Sequence, residues 1–328
     1  MLGIVVVMQL IRLRWLKSGI SFRVEAINKS SNVNTNTQRP FVAVLLAAYN
    51  GVQWISEQVD SILNQLEVDV QLFISVDLSS DETYDWCMSA ANKYSNISVL
   101  DYGEHFGGAA KNFYRLIRDV DFSKFDYIAL SDQDDIWLEH KLAHATQMVT
   151  ANKLDAFSSD IIAFWPDGRE TLEKKSYLPK KFDHYFEAAS AGCTYVMTRQ
   201  AMQAFKDFLI THWEEVNQVF SHDWIIYSFC RAQGMKWLID DQALIRYRQH
   251  DSNQVGLNSG LNAHLKRFFM VKEKWYRTEV SNIVSLILPT DSVSFSLNRW
   301  FLVKNFWQLR RRTRDAVALL VMLVLGVF

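Results

Sequence analysis

The sequence predicts an α/β fold, a mixed but mainly parallel sheet flanked by helices and followed by a helical C-terminal appendage. Two observations carry that expectation. Between residues 41 and 130, short apolar runs alternate with stretches of helical periodicity, the signature of parallel strands joined by crossover helices. Polar clusters fall directly after three of those runs, at Tyr49-Asn50, at Asp77 to Asp81 and at Asp132 to Asp135. A parallel sheet binds its ligands beyond the carboxyl ends of its strands, so three clusters on one edge mark a single site.

Taken in order, Phe41 to Ala48 is a continuous apolar run stopped by Tyr49-Asn50-Gly51, a buried strand and its turn. Trp54, Ile55, Val59, Ile62 and Leu63 then recur at helical spacing. Val70 to Val76 is a second strand, and Glu82 to Tyr94 carries a helical pattern that Ser79, Ser80 and Asp81 are suited to cap. Ile97 to Leu100 is a third strand. The loop Gly103 to Gly108 leads into a helix from Ala109 to Val120, Tyr127 to Leu130 is a fourth strand, and a helix is expected to begin near Ile136.

The 328 residues suffice for one large α/β domain with appendages. A net charge of −1 gives no whole-chain case for nucleic acid as a partner. That charge is unevenly spread, since residues 261–328 carry eleven Lys or Arg against four Asp or Glu. Cys87, Cys193 and Cys230 are odd in number and without C-x-x-C spacing, and so read as reduced intracellular core residues. Leu2 to Ile11 is apolar, but its positive charges follow it, which makes a poor signal peptide. Residues 28–40 are polar and read as a flexible linker, so residues 1–40 form an extension, 41–260 the main folded body and 261–328 a basic helical region. Arg310-Arg311-Arg312-Thr313-Arg314 precedes thirteen uncharged residues. That is short of the roughly 20 needed to cross a bilayer and fits an amphipathic segment on an anionic membrane surface, a last core helix or a dimer contact.

Chemistry concentrates in Ser131-Asp132-Gln133-Asp134-Asp135-Ile136-Trp137. Three carboxylates at the end of a buried strand repel one another unless they are solvated or hold a cation. The Asp-x-Asp spacing suits Mg²⁺ or Mn²⁺ shared with a nucleotide diphosphate; the plain alternative is an acidic turn capping the next helix. In the loop His105 to Phe113, Gly107 and Gly108 permit close backbone approach, the following helix offers unpaired N–H groups and Lys111 adds positive charge, a setting for an anionic sugar nucleotide.

These segments together resemble the family 2 glycosyltransferases of GT-A fold, in particular the bacterial rhamnosyltransferase-like members that build surface polysaccharides, over about Phe41 to Gly256. Leu46-Ala47-Ala48-Tyr49-Asn50-Gly51 is similar to the family's nucleotide-binding turn, Val76-Asp77-Leu78-Ser79-Ser80-Asp81-Glu82-Thr83 to its Asp-Asp-Gly-Ser-x-Asp-x-Thr, and Ser131 to Trp137 to its metal-binding segment. The resemblance implies donor contacts from Ala48, Tyr49, Asn50, Asp77, Gly107, Gly108, Lys111, Asn112, Asp132 and Gln133, and a divalent cation, Mg²⁺ or Mn²⁺, held by Asp134, Asp135 and His250. His250 lies in Arg246-Tyr247-Arg248-Gln249-His250, similar to the family's Tyr-Arg-x-His segment, in which Arg246 or Arg248 would neutralise the diphosphate. Acceptor contacts fall to Trp137, Gly192, His222 and Trp224, with Gly192 leaving room for sugar. Ser221-His222-Asp223-Trp224 resembles the catalytic segment, which makes Asp223, ionised at a helix N-terminus, the general base.

The activity so implied is inverting, metal-dependent transfer of a sugar from a dTDP-, UDP- or GDP-sugar to a hydroxyl of a surface polysaccharide or lipid-linked saccharide, at the cytoplasmic face of the bacterial inner membrane. One departure stands out: Val76 and Leu78 replace the family's usual acidic residue and glycine. Two rival readings follow from the residues, a sugar nucleotidyltransferase, whose Gly-rich basic first loop is missing here, and a non-catalytic sugar-binding scaffold with a decayed donor site.

Overall fold

The computed structural model describes residues 38–250, 275–288 and 295–328, and Arg39–Phe328 make one unit. The apolar run Leu2 to Ile11, the linker up to residue 37 and the end of the family-like segment beyond His250 lie outside the described residues.

The strand run begins where the sequence reading places it. Strand β1 (Phe41–Ala48) leads to helix α1 (Ile55–Leu63), β2 (Asp69–Val76), α2 (Thr83–Lys93), β3 (Ile97–Val99), α3 (Ala109–Asp119) and β4 (Tyr127–Asp132). Then come β5 (Ile136–Trp137), α4 (Lys141–Asn152), β6 (Ala156–Ser159), β7 (Ile161–Phe164) and β8 (Glu170–Glu173). Past two 3₁₀ turns at Asp183–Tyr185 and Gly192–Thr194 follow β9 (Val196–Thr198), α5 (Arg199–Thr211), α6 (Trp213–Val216), α7 (His222–Ala232), β10 (Trp237–Asp240) and β11 (Ile245–Arg248). The C-terminal region supplies α8 (Trp275–Ile287), α9 (Arg299–Asn305) and α10 (Thr313–Leu325).

Seven strands form the main sheet in the order β10-β6-β9-β4-β1-β2-β3, parallel except for β9, which runs antiparallel to β4 and β6. A smaller sheet, β5-β11-β7-β8, stands beside it. No helix starts at Ile136: Ile136 and Trp137 pair antiparallel with Arg246 and Ile245, and the helix begins at Lys141. The short strand forms because the β-prone Ile-Trp pair finds a partner in β11, a long-range contact that local sequence does not announce.

Strand β1 divides the core in two. Ala43, Leu45 and Ala47 face one apolar cluster with α3, α5, α7 and the C-terminal helices, and Val42, Val44, Leu46 and Ala48 face another with α1, α2 and α4. This period-two division explains why the strand is apolar throughout: both faces of the sheet are covered. Pairing with β2 from Phe41↔Asp69 to Ala48↔Val76, and with β4 from Val42↔Tyr127 to Ala47↔Asp132, brings the three polar loops to one edge.

Helices α8 to α10 pack into the same core through Val280, Ile283, Leu302, Leu309, Leu319 and Leu323. Arg310 and Arg311 of the basic run turn inward onto acids, while Arg314 stays exposed, so only part of the run expected to face lipid lies on the surface. Arg311 meets the fully buried Asp183 at 3.3 Å, where Arg231 at 3.1 Å and the Tyr227 hydroxyl at 2.9 Å also converge, and Arg310 lies 3.5 Å from Glu187. Three donors compensate one buried carboxylate, which is the condition under which a buried ion pair is tolerated. Asp183→Ala removes the buried carboxylate that Arg311 and Arg231 share, and urea unfolding is expected to show a loss of about 3–5 kcal/mol.

Candidate active site

A cavity of about 900 Å³ opens at the carboxyl edge of the main sheet. The ends of β1, β2 and β4, the Gly107-Gly108 loop, the start of α7, the Glu173–Tyr177 stretch and the Arg310–Asp315 turn all line it.

The donor-side loops are fastened to one another by side chains. Asn50, at φ +45°, takes the left-handed backbone that Asn tolerates, and its Oδ1 accepts from Ser80 N at 2.8 Å while its N–H donates to Ser79 Oγ at 3.0 Å. Gln133 clips the same turn, accepting from Tyr49 N at 2.8 Å and donating to Tyr49 O at 2.7 Å. A Cβ on Gly51 would sit 2.0 Å from Gln133 Oε1, so only glycine permits this approach. Ala48, Tyr49 and Asn50 all line the cavity.

Asp77 also lines it, but its carboxylate is already occupied. Oδ1 accepts from Leu78 N and Phe106 N at 2.8 Å each, Oδ2 accepts from Gly107 N at 3.0 Å, and His105 Nδ1 lies 3.3 Å away. Its visible work is to hold the Gly107-Gly108 loop against β2. Asp81 is structural as well, accepting from Val52 N at 3.2 Å and Thr83 N at 3.1 Å. Asn112 lines the cavity while its Nδ2 ties Ala48 O at 3.2 Å to Ser75 O at 3.0 Å, and its buried Oδ1 has no partner among the described residues. Lys111, expected to add charge here, is exposed on α3 and does not line the cavity, because the helix turns that position to solvent.

The acid loop separates into two groups. Asp134 and His250 line the cavity and pair with each other, Oδ2 to Nε2 at 2.8 Å, with the His250 ring stacked at 4.0 Å on Trp54. Asp135 lies behind them, and its carboxyl groups with Asp132 and the Cys193 thiol, all ligand atoms within 4.8 Å of one another. Burial first, then the neighbouring carboxylates, pushes Asp132 up to about 7 and Asp135 up as well. Asp135 Oδ1 accepts from Arg248 N at 3.2 Å, but its buried Oδ2 has no hydrogen-bond partner among the described residues. An orphaned carboxylate oxygen among like charges is a deficit that a cation relieves, and oxygen donors suit a hard divalent ion. Asp132 and Asp135 therefore fit a divalent cation, but the ligand set expected from sequence, Asp134, Asp135 and His250, is not gathered as one group: Asp134 and His250 pair with each other instead. Cys193 was read from sequence as a plain core cysteine; its thiol is held protonated by burial and by the two acids.

Neither arginine expected at a diphosphate lines the cavity. Arg246 pairs with Glu170 at 2.7 Å, and Arg248 binds Glu57 and, at 2.8 Å, Asp134 O. Trp137 is likewise no acceptor contact: it is buried in the second core cluster with Lys141 Nζ 3.3 Å above its ring centroid, since pairing of β5 with β11 carries it inward.

On the other side of the cavity, α7 presents Asp223. Its Oδ1 accepts from Trp224 N at 2.8 Å, yet burial outweighs that hydrogen bond and pushes the carboxyl up to about 6, opposite to the lowering expected from a helix N-terminus alone. His222 stacks on Phe113 at 4.0 Å, and burial pushes it down to about 3, so the ring is neutral. It does not orient Asp223, and its Nε2 has no partner among the described residues. Gly192 lines the cavity, but a Cβ there would lie 2.4 Å from His222 Nε2 and 3.3 Å from Asp223 Cβ, so its bareness admits the His222-Asp223 segment rather than a sugar. Trp224 lines the cavity and donates from Nε1 to His184 O at 2.9 Å.

Sequence reasoning missed Lys174, Lys175, Tyr177 and the Arg310–Arg312 turn as cavity residues. No motif marks them, and only the run of arginines drew attention, toward the wrong surroundings.

Comparison with known proteins agrees with this architecture. The profile described as "Glycosyltransferase like family 2" matches residues 39–258. The dTDP-rhamnosyl transferase RfbG of Shigella flexneri is 42% identical over 289 residues, 86% of this chain and 100% of that protein. Among solved structures, S. aureus TarS 1-349 in complex with UDP superposes with a TM-score of 0.54 at 14% identity, covering 81% of this chain and 71% of that one. The mannosyltransferase PcManGT of Pyrobaculum calidifontis, in complex with GDP-Man and Mn²⁺, does so with a TM-score of 0.50 at 16% identity, covering 89% and 82%. At such identities the structures speak for the fold, and the sequence matches speak for the family: the chain belongs to the family 2-like glycosyltransferases and is a glycosyltransferase of GT-A fold.

Proposed function

We propose that the chain transfers a deoxyhexose, rhamnose, from its dTDP-linked donor to a hydroxyl of a saccharide acceptor, by single displacement with inversion. The observation that carries the reading is the sharing of one cavity by Asp223 and the Asp132–Asp134 loop. One acid group meets the diphosphate end of the donor and a separate acid receives a proton. The donor identity is supported by the relative at 42% identity, a dTDP-rhamnosyl transferase.

Asp132 and Asp135 would hold a divalent cation, with Asp134 on the cavity side of the same loop; when bound, it would supply positive charge to the leaving diphosphate. The chain's own residues do the rest. The turn Ala48 to Asn50 and the Gly107-Gly108 loop, their Tyr49, Asn50 and Gly107 N–H groups already engaged within the protein, form a wall for the nucleotide. Asp223 takes the proton of the attacking hydroxyl at its carboxylate. No second acid is required at the leaving group, in contrast to a glycosidase. A carboxyl raised to about 6 is ionised at neutral pH and is a stronger base than an ordinary aspartate.

Attachment to a membrane surface is part of the same proposal, supported now by apolar area rather than by the arginines. Among the described residues no helix is long and apolar enough to cross a membrane. Helix α10, however, is apolar on both sides: Ala316, Leu319 and Leu323 face the core, while Val317, Val321, Val324 and Leu325 are exposed, as is the nearby Trp300 of α9. An outward apolar stripe of this kind lies favourably in the headgroup region of a bilayer. The acceptor is then a lipid-linked saccharide reached from the membrane face.

Three measurements test these points. Release of dTDP from dTDP-rhamnose should be abolished in Asp223→Asn while donor binding by calorimetry stays near wild type, and Asp134→Ala should lose both; transfer by Asp223→Asn would refute the base assignment. Because the base must be ionised, kcat should fall on the acid side, about tenfold per pH unit below about pH 6. Co-sedimentation with anionic vesicles should drop severalfold in Val321→Asp/Leu325→Asp, and equal binding by that variant would count against the membrane face.

A further inference from the structure

Glu279 lies in α8, outside the residues 39–258 that carry the family match, and is 3% exposed. Its Oε1 accepts two backbone hydrogen bonds, from Phe220 N at 2.8 Å and Ser221 N at 3.0 Å. Those two residues immediately precede α7, and Ser221, the N-cap, makes no side-chain capping hydrogen bond of its own. The start of the helix that carries Asp223 is therefore fastened by an acceptor from the C-terminal region.

Helix α8 is itself held rigidly. Val280 and Ile283 are fully buried, Tyr276 OH donates to Phe186 O at 2.7 Å, and the Tyr276 ring stacks on Trp224, the residue after the proposed base, at 5.8 Å. A base works only if its oxygen is held within a few tenths of an ångström of the proton it takes; Tyr114 OH holds Val219 O and Tyr195 OH holds Asp223 O, at 3.2 Å each, and Glu279 holds the two amides between them. We infer that Glu279 is a positioning residue for the transfer step: by binding the Phe220 and Ser221 amides it sets the placement of Asp223 in the cavity. The inference rests on the assignment of Asp223 as base.

The test compares four full-length variants by steady-state kinetics with dTDP-rhamnose. Glu279→Leu keeps most of the volume but removes the acceptor, and kcat should fall at least tenfold with the donor KM within twofold of wild type. Glu279→Gln retains an Oε1 that accepts both amides and should restore kcat to within threefold. Should Glu279→Leu fail to fold, Glu279→Asp, which withdraws the carboxylate by one methylene, takes its place with the same expectation. Wild-type kcat in the variant lacking the acceptor, a change confined to KM, or an equal loss in Glu279→Gln would each overturn the inference. Asp223→Asn separates the two layers. If it is inactive while Glu279→Leu turns over normally, only the role of Glu279 falls; if it is active, the base assignment falls instead.

Discussion

Everything in this molecule that bears on transfer depends on the register of β1 with its two neighbours. Eight residue pairs with β2 and six with β4 align the three strands so that their polar loops leave the sheet at one level. A slip of one residue in β1 would exchange the two cores, since its alternate side chains serve different apolar clusters. The burial of both faces thus fixes the register, and the register gathers the loops.

Gathering alone would leave the loops loose. They are made rigid by polar side chains that bind backbone across long stretches of sequence: Gln133 to Tyr49, Asn50 to Ser80, Asp77 to Phe106 and Gly107, Asn112 to Ala48 and Ser75. Several residues that resemble ligand contacts by motif therefore spend their hydrogen bonds on architecture. They shape the cavity by holding the backbone that lines it, which is how a site built on loops acquires the precision of one built on strands.

The sequence made the sheet and the donor side legible because local signals there are strong. Continuous apolar runs, turn residues and acid spacing all fall within a few positions of one another, and the strands and helices from residue 41 to residue 132 lie close to where periodicity puts them. Long-range pairing was not legible. Ile136-Trp137 reads as a helix start until β11 is seen to pair with it, and Trp137 changes from a candidate contact to a core residue for that reason. Gly192 looks like space for a ligand until the His222 ring is found above it. The arginines near residue 311 carry the most misleading signal, since a cluster of charge in sequence says nothing of the acids that wait for it elsewhere, here Asp183 and Glu187.

The same arginines have a consequence for how the enzyme comes into being. Synthesis runs from the N-terminus, so the sheet, the acid loop and Asp223 are all made before residue 311 exists. Until then Asp183 has Arg231 and the Tyr227 hydroxyl but not Arg311, and the apolar face that receives α8 to α10 stands open. A chain made only as far as residue 250 lacks the wall of the cavity that Arg310, Arg311, Arg312 and Asp315 supply. The cavity is whole only once the segment around Arg311 has reached Asp183 and Glu187, so closing the site and finishing the core are one and the same folding event.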